Sequence, residues 1–141
     1  MTKLILISHG KLSAGMAYSA QMIAGETPNI CSYGLMPGGD VEIDVIGPVR
    51  EALHTEPDTQ LLIVSDLYCG SIYNGSFSLQ KEPNALIATG MNLSLVVNLL
   101  MELDNGFTAE SFEQAVAESR EYTMVLPALQ MEDDESTEDF F

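Results

Sequence analysis

Two runs of four consecutive large aliphatic residues, Leu4-Ile5-Leu6-Ile7 and Leu61-Leu62-Ile63-Val64, mark the chain, and each stops at a small polar loop. Unbroken apolar runs of this length predict strands covered on both faces, the pattern of central strands in a parallel sheet. Ala85 to Ala88 reads as a third strand, and Ile30 to Tyr33 as a shorter, more polar one nearer a sheet edge. Between them the period changes. Met16, Ala20, Met22 and Ile23 keep helical spacing up to a stop at Gly25, and Leu95, Val96, Leu99, Leu100 and Leu103 do so later. Val41, Val45, Val49 and Leu53, behind a Gly38-Gly39-Asp40 cap, predict a helix from about 40 to 54, although β-branched residues weaken it. A short helix is expected after the loop from Asp66 to Asn74. Thr108 opens a helix over Ala109 to Arg120 that turns Phe112, Ala115 and Val116 inward. Tyr122 to Leu126 reads as a last strand, stopped by Pro127 and too apolar to lie in water. It must therefore pair with a sheet edge, of its own chain or of a partner. Alternating strands and helices of this kind give an α/β fold: an open, doubly wound, mainly parallel sheet with helices on both faces.

The length of 141 residues suits one domain with a real core. The opening does not read as a secretory leader, and the longest later apolar stretch, Leu93 to Leu103, is too short to span a bilayer, so a cytoplasmic protein without membrane insertion is expected. Cys31 and Cys69 lack the spacing of a metal or redox motif and are expected as free thiols. Charge narrows the partners. Twenty-one acids against five bases give a formal net charge of −16, which argues against nucleic acid, whose phosphates draw on clustered Lys and Arg. Six of the acids fall in residues 132–141, so the domain is placed at 1–130 and residues 131–141 are expected to be an acidic, disordered tail. The body stays acidic without it and would steer a partner with a basic face.

The candidate chemistry sits where the strands end. His9 closes the first apolar run and Asp66 follows the second, at the strand ends where open α/β sheets place their sites. A carboxylate that binds one ring nitrogen fixes the tautomer and frees the other nitrogen as a nucleophile. Ser8, Gly10, Ser13, Gly70, Ser71 and Asn74 flank the pair, and small residues near helix N-termini let backbone amides approach an anion such as a phosphoryl group. Of these, Gly10, Ser13, Gly70, Ser71 and Asn74 are assigned to the cradle. A metal fits poorly, because the second histidine, His54, lies at a helix end away from the strand ends; no metal or cofactor is expected.

Leu4-Ile5-Leu6-Ile7-Ser8-His9-Gly10, with Leu12, Ala14, Gly15 and Ser19 behind it and then Ile23-Ala24-Gly25, resembles the opening of the mannose-family IIA components of the bacterial phosphoenolpyruvate-dependent sugar phosphotransferase system. Asp66-Leu67-Tyr68-Cys69-Gly70-Ser71-Ile72-Tyr73-Asn74 is similar to that family's second signature, and Thr89-Gly90-Met91-Asn92-Leu93 to its third, in the same order and at the family's intervals. The resemblance implies a phosphotransferase that takes a phosphoryl group from the phosphocarrier HPr on His9 and passes it to a IIB component, itself associated with IIC and IID membrane subunits. Asp66 would bind the other ring nitrogen. It further implies strand order 2-1-3-4, His9 and Asp66 on adjacent strands, and a homodimer in which the C-terminal strand, here Tyr122 to Leu126, crosses to the partner's sheet. Leu12, Tyr68, Ile72 and Tyr73 would form the centre of a transient docking surface. Cys69 stands where the family has glycine and Ile72 where it has proline, beside that surface. A regulatory phosphoprotein of the same fold, signalling to a partner outside transport, is the alternative. The dihydroxyacetone-kinase phosphotransfer subunit is similar in fold but differs in the second and third motifs.

Overall fold

The computed structural model describes residues 1–35, 46–67 and 78–127. Four strands, β1 (Thr2–His9), β2 (Ile30–Leu35), β3 (Gln60–Ser65) and β4 (Ala85–Thr89), form one sheet in the order β2-β1-β3-β4. Every neighbouring pair is parallel. The two apolar runs are the two central strands: Leu4 to Ile7 and Leu61 to Val64 are each at most 3% exposed. Alternation along a strand divides them between two cores. Leu4, Leu6, Leu62 and Val64 face Ala17 and Ala20 of α1 (Leu12–Ala24), Leu95, Val96 and Leu99 of α3 (Leu93–Met101), and Phe112 and Ala115 of α4 (Ala109–Arg120). Ile5, Ile7, Leu61 and Ile63 face Ile46, Val49 and Leu53 of α2 (Ile46–Thr55) together with Leu79 from a 3-10 turn at Ser78–Lys81. Each Leu, Ile, Val or Phe side chain so buried contributes about 1.5–3 kcal/mol, so both faces need their helices.

Local chemistry sets the helix ends. Gly25, at φ 101°, ends α1. Asn92 caps α3 by accepting the Leu95 amide at 2.8 Å, and Thr108 caps α4 in a reciprocal capping box with Ser111. The α4 range agrees with the sequence expectation residue for residue. The edge strand β2 runs two residues beyond its predicted end, through Gly34 to Leu35. In the region of the expected 40–54 helix, α2 begins at Ile46, and residues 40–45 lie outside the described residues.

For Tyr122 to Leu126, pairing with a sheet edge of its own chain is corrected: the segment follows α4 as irregular backbone, with Tyr122 66%, Val125 94% and Leu126 76% exposed. A strand needs a hydrogen-bonded neighbour as well as an apolar, β-branched composition, and within the single chain this segment pairs with neither sheet edge. The acidic tail lies outside the described residues. Among the described residues no helix is long and apolar enough to cross a membrane.

Candidate functional site

β1 and β3 are adjacent, and the described elements that follow them pack on opposite faces, α1 on one and Leu79 on the other. Such a switch at the carboxyl ends of parallel strands is where open α/β sheets place their sites. His9, the last residue of β1, and Asp66, the first residue after β3, stand at that point.

The structure brings these two residues together. Asp66 Oδ2 accepts both the backbone N–H of His9 and its ring Nδ1, each at 2.9 Å, while Oδ1 accepts the Leu67 amide at 2.9 Å. An ionised carboxylate only accepts, so a neutral ring bonded here carries its proton on Nδ1 and keeps the Nε2 lone pair free. The Asp66 side chain is 7% exposed and that of His9 47%, which buries the orienting bond and leaves the ring reachable. Burial by itself would raise the Asp66 pKa. The hydrogen bonds from the His9 amide and ring, the ring's charge and the Leu67 amide outweigh it and hold the carboxyl below the ordinary carboxylate value.

A rigid turn presents the histidine. Gly10 takes φ 57°, and its N–H donates to the Leu35 carbonyl of β2 at 2.6 Å. Ser8, fully buried, accepts the Ser13 amide on Oγ at 2.7 Å and so satisfies a donor in the first turn of α1, whose N-cap residue, Lys11, makes no side-chain cap bond. The Ser13 hydroxyl donates to the Tyr33 carbonyl at 3.0 Å. Ser13 was expected in the anion cradle. It is 1% exposed with its amide and hydroxyl both committed, so it ties α1 to the sheet beneath the turn and offers neither group to an anion. Gly10 and the start of α1 follow His9 directly, and a helix N-terminus favours an anion. Leu12, expected at a docking surface, is 49% exposed three residues after His9. Gly70, Ser71 and Asn74 of the cradle, and Tyr68, Ile72 and Tyr73 of the docking surface, lie outside the described residues, as does Cys69.

Sequence reasoning missed three contributors. A β-carbon on Gly34 would overlap the Gly10 carbonyl oxygen, so only glycine lets β2 pack against the turn that carries His9. A lone glycine inside a strand is the available signal for such an approach. Ser65 and Thr89, at the carboxyl ends of β3 and β4, are joined by a hydroxyl–hydroxyl bond of 3.0 Å, and Thr89 donates onward to the Leu67 carbonyl at 2.6 Å. Nothing in a one-dimensional pattern distinguishes a strand-end hydroxyl with such a partner from one facing water. Elsewhere, His54 pairs with Glu82 at 3.0 Å at the end of α2, and Cys31 is a free, exposed cysteine on β2. Partial desolvation of its thiol raises the Cys31 pKa against the lowering effect of its Tyr33 hydrogen bond and of Lys3. Among the described residues no three metal-ligating side chains converge.

A family model, curated relatives and several solved structures point to one group. The family described as PTS system fructose IIA component matches residues 3–117. The chain is 28% identical over 101 residues to the sorbose-specific EIIA component of the PTS of Klebsiella pneumoniae, an alignment covering 71% of this chain and 73% of that protein. The PTS IIA protein associated with the fucose utilization operon of Streptococcus pneumoniae superposes with a TM-score of 0.70 at 25% identity, covering 84% of this chain and 90% of that one. The mannose/sorbose-specific IIA subunit of Enterococcus faecalis, at 23% identity, shares the fold with a TM-score of 0.67 over 91% of this chain and 98% of its own.

Proposed function

Because this chain belongs to the mannose-family IIA components of the sugar phosphotransferase system, and so to that system's phosphoryl carriers, we propose that His9 is the residue that carries the phosphoryl group, from phospho-HPr to a IIB component. The observation that supports this most directly is the pair of hydrogen bonds from His9 to a single oxygen of Asp66, one from its backbone amide and one from its Nδ1. Nδ1 is committed, so Nε2 is the nucleophile. Its lone pair forms a new P–N bond as the P–N bond of the donor breaks, and the electron pair of the broken bond returns to the donor's ring. His9 then bears substituents on both nitrogens and a positive charge, which the adjacent Asp66 carboxylate stabilises. Transfer to IIB reverses these changes. No ATP is needed at this step, since one P–N bond replaces another and the protein need only align the two rings.

Gly10 and the N-terminus of α1 supply one side of the phosphoryl cradle, and Gly70, Ser71 and Asn74 are assigned to the other. Leu12, Tyr68, Ile72 and Tyr73 form the contact through which HPr and IIB dock in turn. The IIB partner works with IIC and IID membrane subunits, and the carrier acts in the cytoplasm. It acts as a homodimer. The exposed Tyr122, Met124 and Leu126 border an apolar groove of about 880 Å³ that continues over Ile23, Leu93, Val97 and Met101, and a second copy is the natural cover for such a surface.

Incubation with phosphoenolpyruvate, enzyme I and HPr tests the assignment. The wild-type chain acquires acid-labile label and His9→Ala none; equal labelling of His9→Ala overturns it.

A further inference from the structure

The third sequence motif, Thr89-Gly90-Met91-Asn92, lies at the end of β4, which pairs with β3 and not with the strand that carries His9. Two of its residues have evident structural tasks. Asn92 caps α3, and Met91 donates its amide to the Ser65 carbonyl at 3.0 Å. Thr89 does something else.

The Thr89 hydroxyl has one proton to give. Ser65 Oγ, buried at 0% exposure, donates to Thr89 Oγ1 at 3.0 Å, and Thr89 Oγ1 donates to the Leu67 carbonyl at 2.6 Å. A carbonyl oxygen only accepts, so the direction of both bonds is determined: Ser65 to Thr89, Thr89 to Leu67. Leu67 in turn donates its amide to Oδ1 of Asp66 at 2.9 Å, and the other oxygen of Asp66 holds His9. Leu67 is 55% exposed, so packing contributes little to holding this residue. Its backbone is held through its own amide and carbonyl, and the carbonyl end is tied to a rigid strand by Thr89.

We propose that Thr89, directed by Ser65, is a positioning residue for phosphoryl transfer: it anchors Leu67, whose amide sets the rotation of the Asp66 carboxylate and thereby the ring of His9. The relay runs Ser65, Thr89, Leu67, Asp66, His9, and crosses three strand ends without touching the phosphoryl group. It deepens the proposed phosphocarrier reading and rests on it for its consequence in catalysis, but its effect on the ring can be observed without any transfer. Loss of the hydroxyl frees the carbonyl side of Leu67, broadens the rotation of Asp66 and lets the ring sample the tautomer in which Nε2 carries the proton and cannot attack.

The test uses Thr89→Val, which keeps the shape and removes the hydroxyl, and Thr89→Ser, which restores it. Nitrogen-15 NMR of the His9 ring, identified against His9→Ala, reports the tautomer, and rapid-quench labelling from phospho-HPr reports the rate. Thr89→Val is expected to slow phosphoryl acceptance about tenfold, the scale of one hydrogen bond, and to raise the share of the Nε2–H tautomer; Thr89→Ser should return both to within about threefold of wild type. A slower rate with an unchanged ring spectrum, or an unchanged rate, overturns the relay. If Thr89→Val does not fold, Ser65→Ala takes its place, with a smaller loss of about threefold expected and the same two readouts deciding. Labelling of His9→Ala would defeat the phosphocarrier assignment, and the tautomer shift would still decide whether the relay orients the ring.

Discussion

Replacing Asp66 by asparagine keeps the volume and removes the charge, and the effect is set by the three hydrogen bonds at this side chain. Oδ2 accepts twice from His9 and Oδ1 once from Leu67. An amide has one accepting oxygen. Turned toward His9, that oxygen keeps both His9 bonds as neutral ones but sets its NH2 against the Leu67 amide; turned toward Leu67, it sets two donors against the His9 amide and ring. In either arrangement the charge that stabilises the phosphorylated, positively charged ring is gone. Hydrogen bonds to an ionised partner are worth about 1.5–3 kcal/mol, and a side chain only 7% exposed is poorly screened by water, so a loss of that size in the transition state is expected. At about 1.4 kcal/mol per factor of ten, this corresponds to roughly 10- to 100-fold slower phosphorylation from HPr. Rapid-quench labelling measures it, with circular dichroism to show that the strands and helices remain. A rate within twofold of wild type would refute the orienting role. Equilibrium unfolding gives a second check. The Asp66 carboxyl is held below its ordinary value, so its contribution to stability is complete above the unfolded carboxylate range near pH 4 and is lost as pH falls through the lower folded value. The part of the stability difference between wild type and Asp66→Asn that comes from this carboxylate should therefore shrink as pH falls below about 4.

Gly34→Ala forces a methyl against the Gly10 carbonyl oxygen and should cost about 1–3 kcal/mol in urea unfolding, with slower transfer because the turn carrying His9 must shift; unchanged stability would show that β2 yields freely. Sedimentation equilibrium should find a dimer at micromolar concentration that Leu126→Asp weakens, whereas a wild-type monomer of about 15.3 kDa would reject the role given to the exposed C-terminal segment. Raising salt to about 0.5 M should slow phosphorylation by HPr through the association step, since a chain of net charge −16 steers a basic docking face over distances that salt screens. Salt independence would contradict electrostatic docking.

The family's identity was legible before any coordinates, because three short motifs in order constrain far more than any one of them. Within the motifs the legibility was uneven. His9 and Asp66 stood out as polar residues ending apolar runs, a contrast that exists in one dimension. Ser13 did not separate from its neighbours in that way: a serine four residues after a histidine reads the same whether it faces an anion or, as here, donates to the Tyr33 carbonyl under the turn. Gly34, Ser65 and Thr89 went unassigned for the same reason, since each is defined by a neighbour 24 residues away.

Local periodicity, by itself, determined the class of the fold, the two central strands and the helix from Ala109 to Arg120, because those depend on which side of an element is apolar and on a cap contained in Thr108 to Ser111. It also marked the strand ends at which chemistry would occur. Tertiary structure decided what needs a partner. The pairing of His9 with one oxygen of Asp66 depends on β1 lying beside β3, and the irregular course of Tyr122 to Leu126 on the absence of a ladder for it within this chain. Composition fixes how much apolar surface a segment must bury, whereas a hydrogen bond exists only once distance and direction bring a second group to it, and those are properties of the folded chain.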